Sequence, residues 1–365
     1  MPKIISTQNK NIIESLKREP WQMQKINPWY FWIKRTLTLP LRVLTFPLRW
    51  LFMRIICPIS YEDDTVSDEF LVGGKNLTEK AKNAFSIHEI NYQISKNDRC
   101  SMFLCANMKN NDTPASKRKL VINFGGNLEF ISDRLTTILR SVGKPISNDI
   151  IFVLYPNKAT SSQELVDGGK SAILRAINAG YQINNITIAG HSLGGAVSAI
   201  AMNAVKPHLN GQEFWHYINH RSFTNLGDII GAYLNYSNDN EKELRHKAKS
   251  SWIGQIVNRL TEILGLQLDA EKAIRAGLPV NSMTLYRCQE DEVIKTGASI
   301  AAAINNHEID TTAPVTFNVT KNQHNDKCSN KIYGADEESQ NYDYFQQNIN
   351  RDGNAVGKHC RKFHR

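Results

Sequence analysis

Residues 186–200 read ITIAGHSLGGAVSAI. The opening ITIA is a short apolar, β-branched run suited to a strand buried on both faces, and the closing GGAVSAI is a run of small residues suited to a closely packed helix. Between them, Gly190-His191-Ser192-Leu193-Gly194 fits G-x-S-x-G. A sharp strand-to-helix turn of this kind lifts the serine hydroxyl above the sheet, and glycines at its flanks let strand and helix come close. The stretch therefore predicts Ser192 as a nucleophile, with the N–H of Leu193 at the helix N-terminus facing a developing oxyanion. An ordinary turn serine would share the pentapeptide, but not the strand, Gly195 and helix together.

Outward from this turn, apolar runs alternate with helical periods. FSIHEINYQI and RCSMFLCANM flank SKND as an antiparallel hairpin. KLVINFGG, DIIFVLYP (149–156), FWHYINH (214–220), SMTLYRC (282–288) and PVTFNV (314–319) read as further strands, with helices expected over 163–179 and over VIKTGASIAAAINN. This alternation predicts an α/β fold with a mostly parallel sheet covered on both faces. The stretch 222–275, helical at LGDIIGAYL and IGQIVNRLTEILG, exceeds an ordinary connection and is read as a lid or cap insertion. The chain divides into an extension (1–60), a catalytic domain (61–329) and a polar basic tail (330–365). Residues 1–26 are polar with no sustained period and are expected to be mobile.

The net charge of +9 over 365 residues is uneven. Residues 1–60 hold ten Lys/Arg against two Asp/Glu, residues 351–365 five against one, and the body between them 29 against 32. No run of eighteen uncharged apolar residues predicts a membrane-spanning helix, and the polar first 25 residues lack the h-region of a Sec-type signal. The six cysteines form no C-x-x-C pair and are expected as thiols in a reducing compartment. His359, Cys360 and His364 lie in the basic tail, where solvated side chains are expected, so neither a metal nor another cofactor is predicted.

With its serine turn and strand order, the chain over roughly 85–330 resembles the α/β-hydrolase superfamily, in its lipase and esterase branch. That resemblance implies a second oxyanion donor from the turn Phe124-Gly125-Gly126-Asn127-Leu128, similar to the "HGN" turn of lipase-like members. The N–H of Asn127 is assigned, with Leu128 the alternative. It also implies the order serine, acid, histidine. The base is then His324, in VTKNQHNDKC after the last strand, where "QHND" is similar to the "GHND" of depalmitoylase-like hydrolases. His307 is the rival, but precedes that strand, while His191 lies in the elbow with its side chain expected to point away from the hydroxyl. Among Glu290, Asp291 and Glu292, the likeness of the stretch to an "EDEVI" turn selects Asp291 to orient the histidine. The other carboxylates are expected to cap a helix starting near Val293. Arg221, in an "RSF" segment that resembles effector hydrolases of intracellular bacteria, is a substrate-binding candidate for an anionic group, with a structural ion pair the alternative.

The substrate class is read from the N-terminus. Four of six tryptophans (21, 29, 32 and 50) fall in the first fifty residues, interleaved with Lys34, Arg35, Arg42, Arg49 and Arg54. Indole rings favour the head-group region, and basic residues gain about 1 kcal/mol each near an anionic leaflet. Pro40 and Pro47 break the apolar run into short amphipathic turns. Residues 27–60 are thus expected to lie on an anionic membrane as an interfacial anchor, the alternative being an extension packed on the body. Nucleic acid is not an expected partner. Together these features predict a peripheral membrane serine hydrolase acting on a lipid or lipidated ester or thioester, against a silent membrane-binding module of the same fold. The Asn- and Lys-rich composition and the "ADEES" cluster fit a secreted bacterial effector working in a host cell.

Overall fold

The computed structural model describes residues 6–20, 85–94, 99–126, 148–156, 159, 161–235, 240–288, 291 and 293–320. Its frame is one eight-stranded sheet in the order β1-β2-β4-β3-β5-β6-β7-β8. The hairpin β1 (Phe85–Gln93) and β2 (Arg99–Asn107) is antiparallel, and β2 joins β4 antiparallel. From there β4 (Asp149–Val153), β3 (Leu120–Phe124), β5 (Ile186–His191), β6 (His216–His220), β7 (Met283–Cys288) and β8 (Val315–Thr320) run parallel. Every residue of β3, β4 and β5 is buried, as continuous apolar runs in a parallel sheet require. The amino end of β4 is held by a buried polar knot, in which Asp149 takes hydrogen bonds from Arg118 (3.1 Å), Tyr181 (2.7 Å) and the N–H of Asn107 (2.8 Å).

One face of the sheet is packed by α2 (Ser162–Asn178) and α3 (Leu193–Val205), whose buried residues join the main core. Ser161 caps α2, its Oγ accepting the N–H of Glu164. Between β6 and β7 stand α4 (Leu226–Leu234), α5 (Glu241–Ser250), α6 (Trp252–Leu264) and α7 (Ala270–Arg275), so the stretch read as an insertion is helical along most of its length.

Two expectations are corrected. Residues 7–17, expected to be mobile, form α1 (Thr7–Lys17), which buries Ile12, Ile13 and Leu16. Three apolar residues in eleven make too thin a stripe to stand out in sequence; a distant residue completes the helix. Arg175 of α2 donates to the carbonyls of Leu16 (2.9 Å), Lys17 (2.9 Å) and Arg18 (2.6 Å), satisfying the last turn of α1, while its guanidinium lies 4.5 Å from the ring centre of Tyr92. The second correction concerns 293–306, where only α8 (Ile300–Asn305) and a 3-10 turn at Thr296–Ala298 form. There the backbone bonds elsewhere: Ala298 O accepts from Thr224 N, and Ile300 N donates to Ser222 O. Gly297 lies so near α5 that a Cβ there would be 2.7 Å from Leu244 O.

Among the described residues no helix is long and apolar enough to cross a membrane. Cys100 and Cys105 are buried thiols, and burial raises the pKa of Cys105. Asn127, Leu128, Glu290, Glu292, His324 and the segments 27–60 and 330–365 lie outside the described residues.

Candidate active site

The chain turns at Ser192 with φ 50° and ψ −118°, a left-handed conformation that an L-residue holds only under constraint. The constraint comes from both sides. The Ser192 N–H donates to His220 O at 2.9 Å, tying the turn to β6, and Gly195 N closes back on Ser192 O at 3.0 Å. Gly190 lies under the first turn of α3, where a Cβ would be 2.5 Å from Gly194 O. Gly194 lies against the exit of β3, where a Cβ would be 2.2 Å from Phe124 O and 2.4 Å from Gly125 O. The glycines of the motif are therefore contact points between backbones. They also bring the start of α3, with the N–H of Leu193, against Phe124 and Gly125 at the exit of β3.

Ser192 occupies the N-cap position of α3, yet its side chain does not cap the helix. The caps Ser6, Ser161, Asn225, Asn240, Ser251, Asp269 and Ser299 all accept a backbone N–H. Capping residues have extended backbone that turns the oxygen toward the helix amides. The left-handed φ of Ser192 gives its side chain another direction.

Asp291 follows β7 at the same carboxyl edge of the sheet. It is buried, and its Oδ1 accepts from the N–H groups of Val293 (2.9 Å) and Ile294 (2.6 Å). The carboxylate thus organises a turn, the job expected of a helix cap, without a helix following directly. One strand, β6, separates the serine turn from β7, as Ser192 N bonds to His220 O and Arg221 N to Tyr286 O at 2.9 Å. Thr320, the last residue of β8, pairs with Cys288, the last residue of β7.

The other named residues separate clearly. His307 is exposed, at φ 56°, on the turn after α8 and before β8 begins. His191 is buried, its ring centre 5.0 Å from that of His220, which in turn lies 5.4 Å from Tyr286. These three rings form a ladder across β5, β6 and β7. Arg221 is only 2% exposed and has φ 53°, so it belongs to the packed loop after β6 and not to an open surface. Among the described residues no group of His, Cys, Asp and Glu is placed to hold a metal ion.

Two contacts near the site had no sequence signal. His220 serves through its carbonyl, which any residue would supply. Tyr233 of α4 donates its hydroxyl to Val293 O at 3.0 Å, joining the inserted helices to the Asp291 turn. The helical character of LGDIIGAYL was legible, but nothing local names the partner.

No protein-family model matches the chain, and no curated protein matches its sequence. Among solved structures it is similar to the hyperthermophilic esterase of the archaeon Pyrobaculum calidifontis, at 13% identity, with a TM-score of 0.51 over 78% of this chain and 92% of that one. A second likeness is to fungal esterases from Rhizomucor miehei, at 12% identity and a TM-score of 0.49 over 83% of this chain and 95% of that one. The parallel sheet, the serine on a strained strand-to-helix turn and the archaeal likeness lead to one conclusion: the chain has the α/β-hydrolase fold.

Proposed function

We propose that the chain is a serine hydrolase that cleaves carboxylic esters, or thioesters, of lipid or lipidated substrates. The observation that carries this reading is Ser192, held at φ 50° in front of α3 with a side chain that does not cap the helix. Such a backbone conformation costs about 1–3 kcal/mol and persists where surrounding contacts impose it. The name of the similar archaeal structure, an esterase, supports the same class.

In the proposed reaction His324 takes the proton of the Ser192 hydroxyl as Oγ attacks the acyl carbon. The oxyanion that forms is met by the N–H groups of Leu193 and Asn127. Collapse breaks the bond to the leaving oxygen or sulfur, which leaves with the proton from His324, and the acyl group stays on Ser192. Water then attacks the acyl carbon, gives a proton to His324, and the acid departs as that proton returns to Ser192 Oγ. Asp291 holds the imidazole tautomer and balances its charge. Its carboxylate is already oriented by two backbone N–H donors.

The basic, tryptophan-rich segment 27–60 is proposed to hold the enzyme on an anionic membrane surface. This contribution would be read as extra affinity for anionic over neutral vesicles.

The reaction is tested with a fluorophosphonate probe and a short p-nitrophenyl ester. The full-length protein should be labelled and should turn over the ester, and Ser192→Ala should do neither, with turnover down about a thousandfold or more. A folded wild type that takes no label overturns the reading.

A further inference from the structure

The large apolar side chains exposed among the described residues gather on two helices of the insertion. Ile230, Tyr233 and Leu234 are exposed on α4, and Trp252, Ile256, Leu260 and Ile263 on α6, with Trp252 at 69%. Scattered exposed hydrophobics are ordinary, but a contiguous apolar patch marks a contact surface.

On α6 the steps of four, four and three residues align these side chains along one side of the helix. That side is not the one that packs. The buried residues of α6 are Gly254 and Thr261. Gly254 crosses α4 at Gly227, where a Cβ on Gly227 would be 2.3 Å from Gly254 O, and one on Gly254 would be 2.7 Å from Gly227 O. The helix is anchored through backbone contact, and its hydrocarbon side is turned outward.

The helices beneath are tied together. Arg245 of α5 is fully buried, ion-paired with Asp228 of α4 (3.3 Å), Glu271 of α7 (3.1 Å) and Glu308 after α8 (3.1 Å), and donates to Gly297 O (2.9 Å). Removing one member of such a cluster leaves buried charge uncompensated. The cluster therefore fixes α4 to α5 and α7, and α6 packs on α4 where Gly254 meets Gly227.

Its chemistry selects the occupant. A protein partner forms about one hydrogen bond per 100–200 Å² of interface. The four α6 side chains are hydrocarbon or indole, and the Tyr233 hydroxyl donates to Val293 O. A hydrocarbon phase asks for no hydrogen bonds. Trp252 and Tyr233 are the residues favoured at head-group level. Exposed Arg259 neighbours Leu260, and Lys295 Nζ lies 5.8 Å from the Tyr233 ring centre, so positive charge accompanies the apolar side as phosphate head groups would require.

We infer that α4 and α6 form a fixed lipid-docking platform that seats in the head-group and acyl boundary of a bilayer beside the Asp291 turn. The inference rests on the proposed function for the kind of substrate met there, but vesicle binding is scored without hydrolysis. An inactive enzyme that binds and an active one that does not are therefore distinct results.

The test uses full-length protein and vesicles of phosphatidylcholine alone, on which the positive charges of segment 27–60 gain little, and compares variants that all retain this segment. Wild type should cosediment, and the triple variant Ile256→Gln, Leu260→Gln, Ile263→Gln should bind at least tenfold more weakly with an unchanged circular dichroism spectrum. If that variant does not fold, Trp252→Phe decides: brominated phosphatidylcholine should quench wild-type fluorescence more than that of Trp252→Phe. The inference is overturned by a wild type that ignores these vesicles, by equal binding or equal quenching, or by substitutions that abolish a dimer in sedimentation while vesicle binding persists.

Discussion

Two helices of thirteen residues, α3 and α6, use their apolar residues in opposite ways. α3 buries ten residues, six of them Gly, Ala or Ser, and lies so close to the sheet that its glycines touch the backbone of β3 and β5. α6 buries two, Gly254 and Thr261, and turns its large side chains outward. The difference teaches that apolar content does not decide where a helix faces; the surface through which its backbone can approach a neighbour does. α3 uses that approach to constrain Ser192, whereas α6 uses it to hold a hydrocarbon face away from the protein.

The contrast can be broken from the inside outward. Arg245→Ala would leave the carboxylates of Asp228, Glu271 and Glu308 around an empty site, and should cost about 3–5 kcal/mol in denaturant titration. If it costs little, the seat of α6 is not rigid. Gly194→Val should destabilise by up to about 3 kcal/mol by overpacking and abolish ester turnover, because the new Cβ would meet Phe124 O at 2.2 Å. Normal turnover would show that α3 can retreat from β3 without loss.

Acid should separate the two helices as well. His216 on β6, in the sheet that carries α3, is buried between Ser282 (2.7 Å) and Thr284 (2.9 Å), and burial lowers its pKa from 6.5 to about 4. The unfolded chain then binds the extra proton between these values, so stability falls as pH drops from about 6.5 to about 4, by at most about 3 kcal/mol. His216→Gln should flatten this part of the profile in thermal unfolding. The smallest effect belongs to α6: exchanging Ile256, Leu260 and Ile263 for Gln should change stability by no more than about 0.5 kcal/mol per site. A loss of several kcal/mol would mean that the face is packed after all.

Much of the fold and of the serine turn was legible because their signals are local. Gly190, Ser192 and Gly194 announce a turn by spacing alone, and the continuous apolar runs of β3, β4 and β5 announce strands covered on both faces. Asp291 could be selected among three neighbouring carboxylates only through a family likeness; in the structure its Oδ1 accepts two backbone N–H groups. Other features left no such trace. The three apolar residues of α1 do not show that Arg175, more than 150 positions away, will cap the helix. Nor does the alanine-rich run after Val293 show that its amides and carbonyls will bond to the loop after β6.

By itself the sequence determined the strands, the serine turn and the helical character of α6, since periodicity and glycine spacing act within a few residues. Only the tertiary structure decided that Ser192 is held in a left-handed conformation by the carbonyl of His220, that α1 is fastened to α2, and that the apolar side of α6 faces outward. Each of these depends on which distant backbone occupies the neighbouring space, and close approach between segments far apart in the chain is a property of the packed whole.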